Sequence, residues 1–148
     1  MSESSEVRLG EKIKHVRCCC GQLNVQVKGE AKIFGVCHCD NCKRRTGSAF
    51  GISLYFRKDD IVTIAGKCQE YAFQHKELDH QQQRYFCTNC GTTVYWYVSD
   101  MPELIGVAGG CFADKDSQGM TTLGKPRYSA NHSNRCDWLA LSSSIKPR

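Results

Sequence analysis

Three cysteines fall within the six residues Cys37 to Cys42, which read CHCDNC. If residues 37 to 39 are extended, Cys37 and Cys39 point to one face, because side chains alternate along a strand. A turn after residue 39 then returns Cys42 to the same point. Three converging sulfurs suit a soft divalent metal, zinc above all. They also leave a tetrahedral ion one ligand short, and an open position marks a catalytic or ligand-binding centre rather than a closed structural one.

A second set of thiols is split along the chain. Cys18 and Cys20 stand in CCCG, and Cys87 and Cys90 in CTNCG. Each pair is followed by a glycine, as a tight metal knuckle requires. Together they would supply four thiolates to a closed structural zinc that staples the N-terminal strand to the strands around residue 90. The competing reading, a redox C-x-x-C at Cys87 and Cys90, normally opens a helix in a βαβ unit, whereas strands flank this one. Cys19, between two ligands, is expected to be a small buried hydrophobe on the opposite face. Cys68, Cys111 and Cys136 are isolated. His38 should face away from Cys37 and Cys39, His75 and His80 are expected to be solvated, and His132 is a weak candidate for a polar group near the open metal position.

Short strands must position these thiols. VRCCCGQLNVQV alternates at Leu23, Val25 and Val27, AKIFGVCHC returns as a strand, and DNCKRRTGS reads as a helical turn ending near Gly47. AFGISLYF, IVTIAG, RYFCTNCGTTVYWYV and ELIGVAGGCF read as strands, HKELDHQQQ as an exposed loop, and Tyr95, Trp96 and Tyr97 as packing residues in a strand pair. Trp138, Leu139 and Leu141 are expected to fold back on the core. The pattern gives a mainly β protein: a loose arm over residues 1–14 and a single domain over 15–148.

The 148 residues contain eleven cysteines, an odd number that argues against a fully paired disulfide framework. No apolar run is long enough to span a membrane and the first fourteen residues lack an apolar signal region, so a soluble, cytoplasmic protein is expected. Seven ionised thiols and two zinc ions would take the formal charge from +5 to +2, so the basic balance is weak evidence for nucleic acid, and a nucleic-acid partner is not expected. The composition does not fix the oligomeric state; a homo-oligomer is one option.

Taken together, CHCDNCKRRTGSAF (37 to 50), FCTNCGTTVYW (86 to 96) and CCCG (18 to 21) resemble the glutathione-dependent formaldehyde-activating enzyme family, which includes the centromere protein V relatives. The resemblance runs from Cys18 to about Trp138. It implies a β-tent of stacked antiparallel sheets with two zinc ions per chain, one structural on Cys18, Cys20, Cys87 and Cys90 and one catalytic on Cys37, Cys39 and Cys42. It departs from the family near the C-terminus, where PRYSANHSNRCDW carries Ser129 at the position of a family histidine.

The function so implied is a carbon–sulfur lyase of the S-hydroxymethylglutathione synthase kind, in which a metal-held thiolate of glutathione, the co-substrate, attacks formaldehyde. Glutathione carries two carboxylates, and Lys43, Arg44 and Arg45, just after the last ligand, are its expected contacts; the alternative is a solvated basic face. The competing functions are a thiol carrier without turnover and a module binding a partner or nucleic acid, which would need a basic, aromatic-lined face.

Overall fold

Alternating apolar residues decide which face each strand buries: in Asn24–Val27 both valines are buried while the polar residues between them are only partly covered. The computed structural model describes residues 12–76, 79–113, 120 and 123–148. Strands β1 (Lys14–Arg17), β2 (Asn24–Val27) and β5 (Ile61–Ala65) form an antiparallel sheet in the order β1-β2-β5. The remaining strands are β3 (Ile33–Cys37), β4 (Gly51–Arg57), β6 (Cys68–His75), β7 (His80–Cys87), β8 (Thr93–Val98), β9 (Leu104–Ala108), β10 (Tyr128–Ala130) and β11 (Lys146–Pro147). They form an eight-stranded sheet in the order β11-β10-β3-β4-β9-β8-β7-β6. One α-helix stands among the described residues, α1 (Asp40–Thr46), between β3 and β4.

This is the expected mainly β architecture of stacked sheets. Its pairings are antiparallel except around β10, which runs parallel to both β3 and β11. Val16, Leu23, Val25 and Val27 from the small sheet share one core with Phe34, Leu54, Phe56, Ile105 and Val107 from the large one. Fully burying such a side chain stabilises the fold by about 1.5–3 kcal/mol. No helix among the described residues is long and apolar enough to cross a membrane.

Several local expectations are corrected. Of the arm expected over residues 1–14, only 12 to 14 are described, and Lys14 already pairs with Val27 in β1. The stretch read as an exposed loop from His75 to Gln83 belongs to the β6–β7 hairpin, with residues 77 and 78 outside the described residues. Its polar side chains hide a continuous pairing from Cys68–Cys87 to His75–His80. The strand expected through Phe112 ends at Ala108 and gives way to a 3-10 turn over Gly109–Phe112. Trp138 is 75% exposed rather than packed on the core.

One close approach locks the large sheet. Trp96 on β8 lies opposite Gly106 on β9 and is 3% exposed. A Cβ at residue 106 would overlap the Trp96 indole. Gly106→Ala is therefore expected to lower stability by about 1–3 kcal/mol through overpacking, read as a fall in the urea midpoint with an unchanged slope.

Candidate functional site

Cys37 ends β3, and the chain turns at once into α1. Cys39 is the N-cap of that helix, with an extended backbone (φ −69°, ψ 156°) and a sulfur that accepts from the Cys42 amide at 3.3 Å. A thiol thus occupies the capping position where an oxygen side chain is usual. Lys43, Arg44 and Arg45 fill the last turn, where cations suit the helix dipole, and Gly47 closes it in the left-handed conformation. The sulfurs of Cys37, Cys39 and Cys42 all lie within 4.8 Å of one another, so this group could hold a metal ion.

The neighbouring N–H groups complete the cluster. Asn131 donates from Nδ2 to Cys37 Sγ at 3.4 Å. It does so from a left-handed backbone (φ 53°) that asparagine tolerates better than most residues. The parallel pairing of β10 with β3 sets Ala130 beside Cys37 and thereby delivers Asn131. Asn134 donates to the His38 carbonyl at 2.8 Å and to Asp40 at 3.0 Å, and Lys43 Nζ donates to the Asn134 carbonyl at 2.9 Å. His38 is fully buried; its Nε2 lies 2.9 Å from Ser129 Oγ, which is 2.7 Å from His132 Nδ1. His132 thus stands on Ser129.

The second group is Cys18, Cys20, Cys87 and Cys90, again with all sulfurs within 4.8 Å. Cys20 Sγ lies 3.7 Å from that of Cys18 and 3.6 Å from that of Cys87. Four sulfurs about 2.3 Å from a tetrahedral zinc stand roughly 3.8 Å apart, so the donor set fits such an ion. Backbone amides of Leu23 and Asn89 donate to Cys18 and Cys87 at 3.2 and 3.4 Å. Gly21 and Gly91 adopt φ of 82° and 79°, the conformation that the glycine after each pair was expected to supply. Cys19 is exposed, against expectation, because residues 18 to 20 form a turn and strand alternation does not apply.

Crowded thiols cannot all ionise unaided. Hydrogen bonds from Cys39 and Cys42 hold the Cys37 thiol far below its ordinary value. Cys42, hydrogen-bonded to Cys37, is pushed far above it. At the knuckle, burial raises Cys18 to about 11, while hydrogen bonds to Thr92 lower Cys90 to about 5. A dication removes this conflict by neutralising the thiolates together.

The three-cysteine cluster opens on a cleft of about 400 Å³ on one face of the large sheet, with Tyr55, His75, His80, Gln82 and Arg84 in its wall. A larger cavity of about 780 Å³ lies over the knuckle, and none of the three clustered cysteines is in its wall. We take the smaller cleft as the site because it contains the incomplete ligand set. His75 and His80 were expected to be solvated; they are 3% and 8% exposed, with ring centroids 5.2 Å apart. Their register pairing at the end of the β6–β7 hairpin puts them there. Lys43, Arg44 and Arg45 point three ways: to Asn134, to a separate cleft of about 390 Å³ beside Cys39, and onto the Trp96 ring with Cζ 4.5 Å from its centroid. None of the three lines the cleft that contains all three cysteines.

The sequence profile of the glutathione-dependent formaldehyde-activating enzyme family matches residues 13–127. The chain belongs to that family. The match ends before β10, so Ser129, Asn131 and His132 lie beyond it. Among solved structures, the crystal structure of a Rhodobacter sphaeroides protein is similar, with 23% identity over 66% of this chain and 85% of that one and a TM-score of 0.51. At that identity the likeness supports the fold alone. No curated protein matches this family member.

The geometry separates two groups of sulfurs, each of which could hold a metal ion. Elemental analysis is expected to give two metal ions per chain, falling to one in Cys42→Ser with the fold retained. Cys87→Ser is expected to lose the other ion and lower stability sharply, because the four-thiolate site ties β1 to β7. The paired readout is metal content and thermal midpoint.

Proposed function

We propose that this family member is a zinc enzyme that joins glutathione, or another small thiol, to formaldehyde as S-hydroxymethylglutathione, and acts as a carbon–sulfur lyase in reverse. One observation carries the reading: three sulfurs within 4.8 Å of one another in the wall of a cleft. Three thiolates suit zinc and leave its fourth position for a substrate sulfur. When bound, zinc would allow a thiol held there to persist as thiolate near neutral pH. The Asn131 side chain and the Cys42 amide withdraw charge from Cys37 and Cys39 and fix their rotamers.

The bond-forming step balances simply. The sulfur lone pair forms the carbon–sulfur bond, the carbonyl π pair moves to oxygen, and a proton equal to the one the thiol gave up completes the hydroxymethyl group. Tyr55 is placed to assist. Burial raises its phenol above the usual range, so it stays protonated. Its oxygen accepts from Trp96 Nε1 at 3.0 Å, which leaves its own O–H to donate to the carbonyl oxygen. His80, held by Asp100 at 3.4 Å and Gln82 at 3.0 Å, stands in the same wall. A cytoplasmic, reducing compartment suits a chain whose eleven cysteines are all free.

Exchange between free formaldehyde and its glutathione adduct, followed by carbon-13 magnetisation transfer, tests the reading. The protein is expected to accelerate the exchange and Cys42→Ser to abolish the effect. Tyr55→Phe should cost about a hundredfold in rate with unchanged glutathione affinity. Saturable glutathione binding with no acceleration would instead make the protein a thiol carrier.

A further inference from the structure

The electrostatics of the cleft are one-sided. Among the described residues that line it, the charged side chains apart from the three thiols and two histidines are Arg84 and Arg148, and none is Asp or Glu; Asp100 meets the wall through His80, at 3.4 Å. Arg84 projects from β7, where it pairs in register with Trp96, and its Cζ lies 4.7 Å from the centre of the Phe73 ring. Its Nε is buried and donates to nothing. A buried guanidinium donor without an acceptor is costly, and the planar fork is shaped for a carboxylate. Burial, and then the positive charge of Arg45, oppose its ionised form, while the Cys42 and Cys39 sulfurs favour it.

Arg148 lies at the other end. It follows β11, its amide donates to the Ser129 carbonyl at 2.8 Å, and its Cζ stands 4.9 Å from the centre of the Tyr128 ring. In the strand order, β11 and β10 lie on one side of β3 and β7 lies four places beyond it on the other. Cys37, at the end of β3, therefore falls between the two arginines along the sheet.

We propose that Arg84 and Arg148 are carboxylate anchors at opposite ends of the cleft, which makes its substrate a thiol bearing carboxylates on either side of the sulfur. This rests on the reading of the cleft as a thiol site and names the recognition that reading lacks. Glutathione has that layout, with its cysteinyl sulfur between two carboxylate-bearing residues. Neutral small thiols do not.

Binding without turnover tests it on the metal-loaded protein. S-methylglutathione keeps both carboxylates and blocks the sulfur, and its diester removes the carboxylates. The wild type is expected to bind S-methylglutathione at least tenfold more tightly than the diester by calorimetry. Arg84→Gln should weaken S-methylglutathione binding about ten- to a hundredfold and leave 2-mercaptoethanol affinity within about twofold. Arg84→Lys should recover part of the loss, because charge remains but the fork does not. Arg148→Gln, at an exposed position, should cost about two- to fivefold. Equal affinity for S-methylglutathione and its diester in the wild type would overturn the proposal, and this holds even if Arg84→Gln fails to fold. Equal losses for 2-mercaptoethanol and S-methylglutathione in Arg84→Gln would also overturn it, since they would assign Arg84 to the cluster's architecture. Because no formaldehyde is present, a protein that binds as expected but forms no adduct would sink only the catalytic reading. One that forms adduct with no effect at Arg84 would sink only the anchors.

Discussion

Repulsion between crowded thiolates is the constraint on which the structure depends. Two groups of sulfurs, each within 4.8 Å, cannot carry charge side by side without a cation among them. The surrounding backbone is arranged to lessen that conflict. Amides of Leu23, Asn89 and Cys42 each aim at a sulfur, and α1 begins with a thiol as its cap. The two groups differ in how they are closed. The knuckle completes four ligands from two strand ends, whereas the cluster at β3 and α1 stops at three and faces a cleft.

Cys18 follows β1 of the small sheet and Cys87 ends β7 of the large one, so a metal held there would tie the two sheets together. The cluster sits where β3, β10 and the start of α1 meet, and its geometry is fixed by hydrogen bonds rather than by core packing. Phe56, Leu54 and Ile105 hold the sheet beneath it rigid. Gly106 lets Trp96 lie flush on β9, and Trp96 in turn fixes the Tyr55 oxygen. The position of the Tyr55 hydroxyl is thus set by a glycine on another strand.

Much of this was legible in the chain. Cysteine spacing gives both sulfur groups, because C-x-C and C-x-x-C restrict where sulfurs can point. Alternation gives β2, the apolar and aromatic run AFGISLYF gives β4, and Gly47 marks the end of α1. What stayed hidden has a common cause. His75 and His80 lie in a polar run whose pairing depends on neighbouring strands rather than on its own hydrophobicity. Asn131, Tyr55 and Arg84 reach the cleft through long-range register, for which local sequence carries no signal. Cys19 was misplaced because strand alternation was extended into a turn. Trp138 shows the limit of reading burial from residue type: a tryptophan in an irregular segment has no face assigned to it.

The parallel strand β10 bears on how the protein comes to exist in a cell. Residues 129, 131 and 134 clamp a segment 91 to 96 positions earlier in the chain. During synthesis the knuckle has all its ligands once Cys90 has emerged, while Cys37, Cys39 and Cys42 wait with neither their Asn131 donor nor their outer wall. Closing so long a loop is slow compared with forming the hairpins before it. The four-cysteine group is therefore complete first, and the three-cysteine group is finished among the last steps of folding. Until then its three thiols stay open to whatever metal or oxidant the surroundings offer.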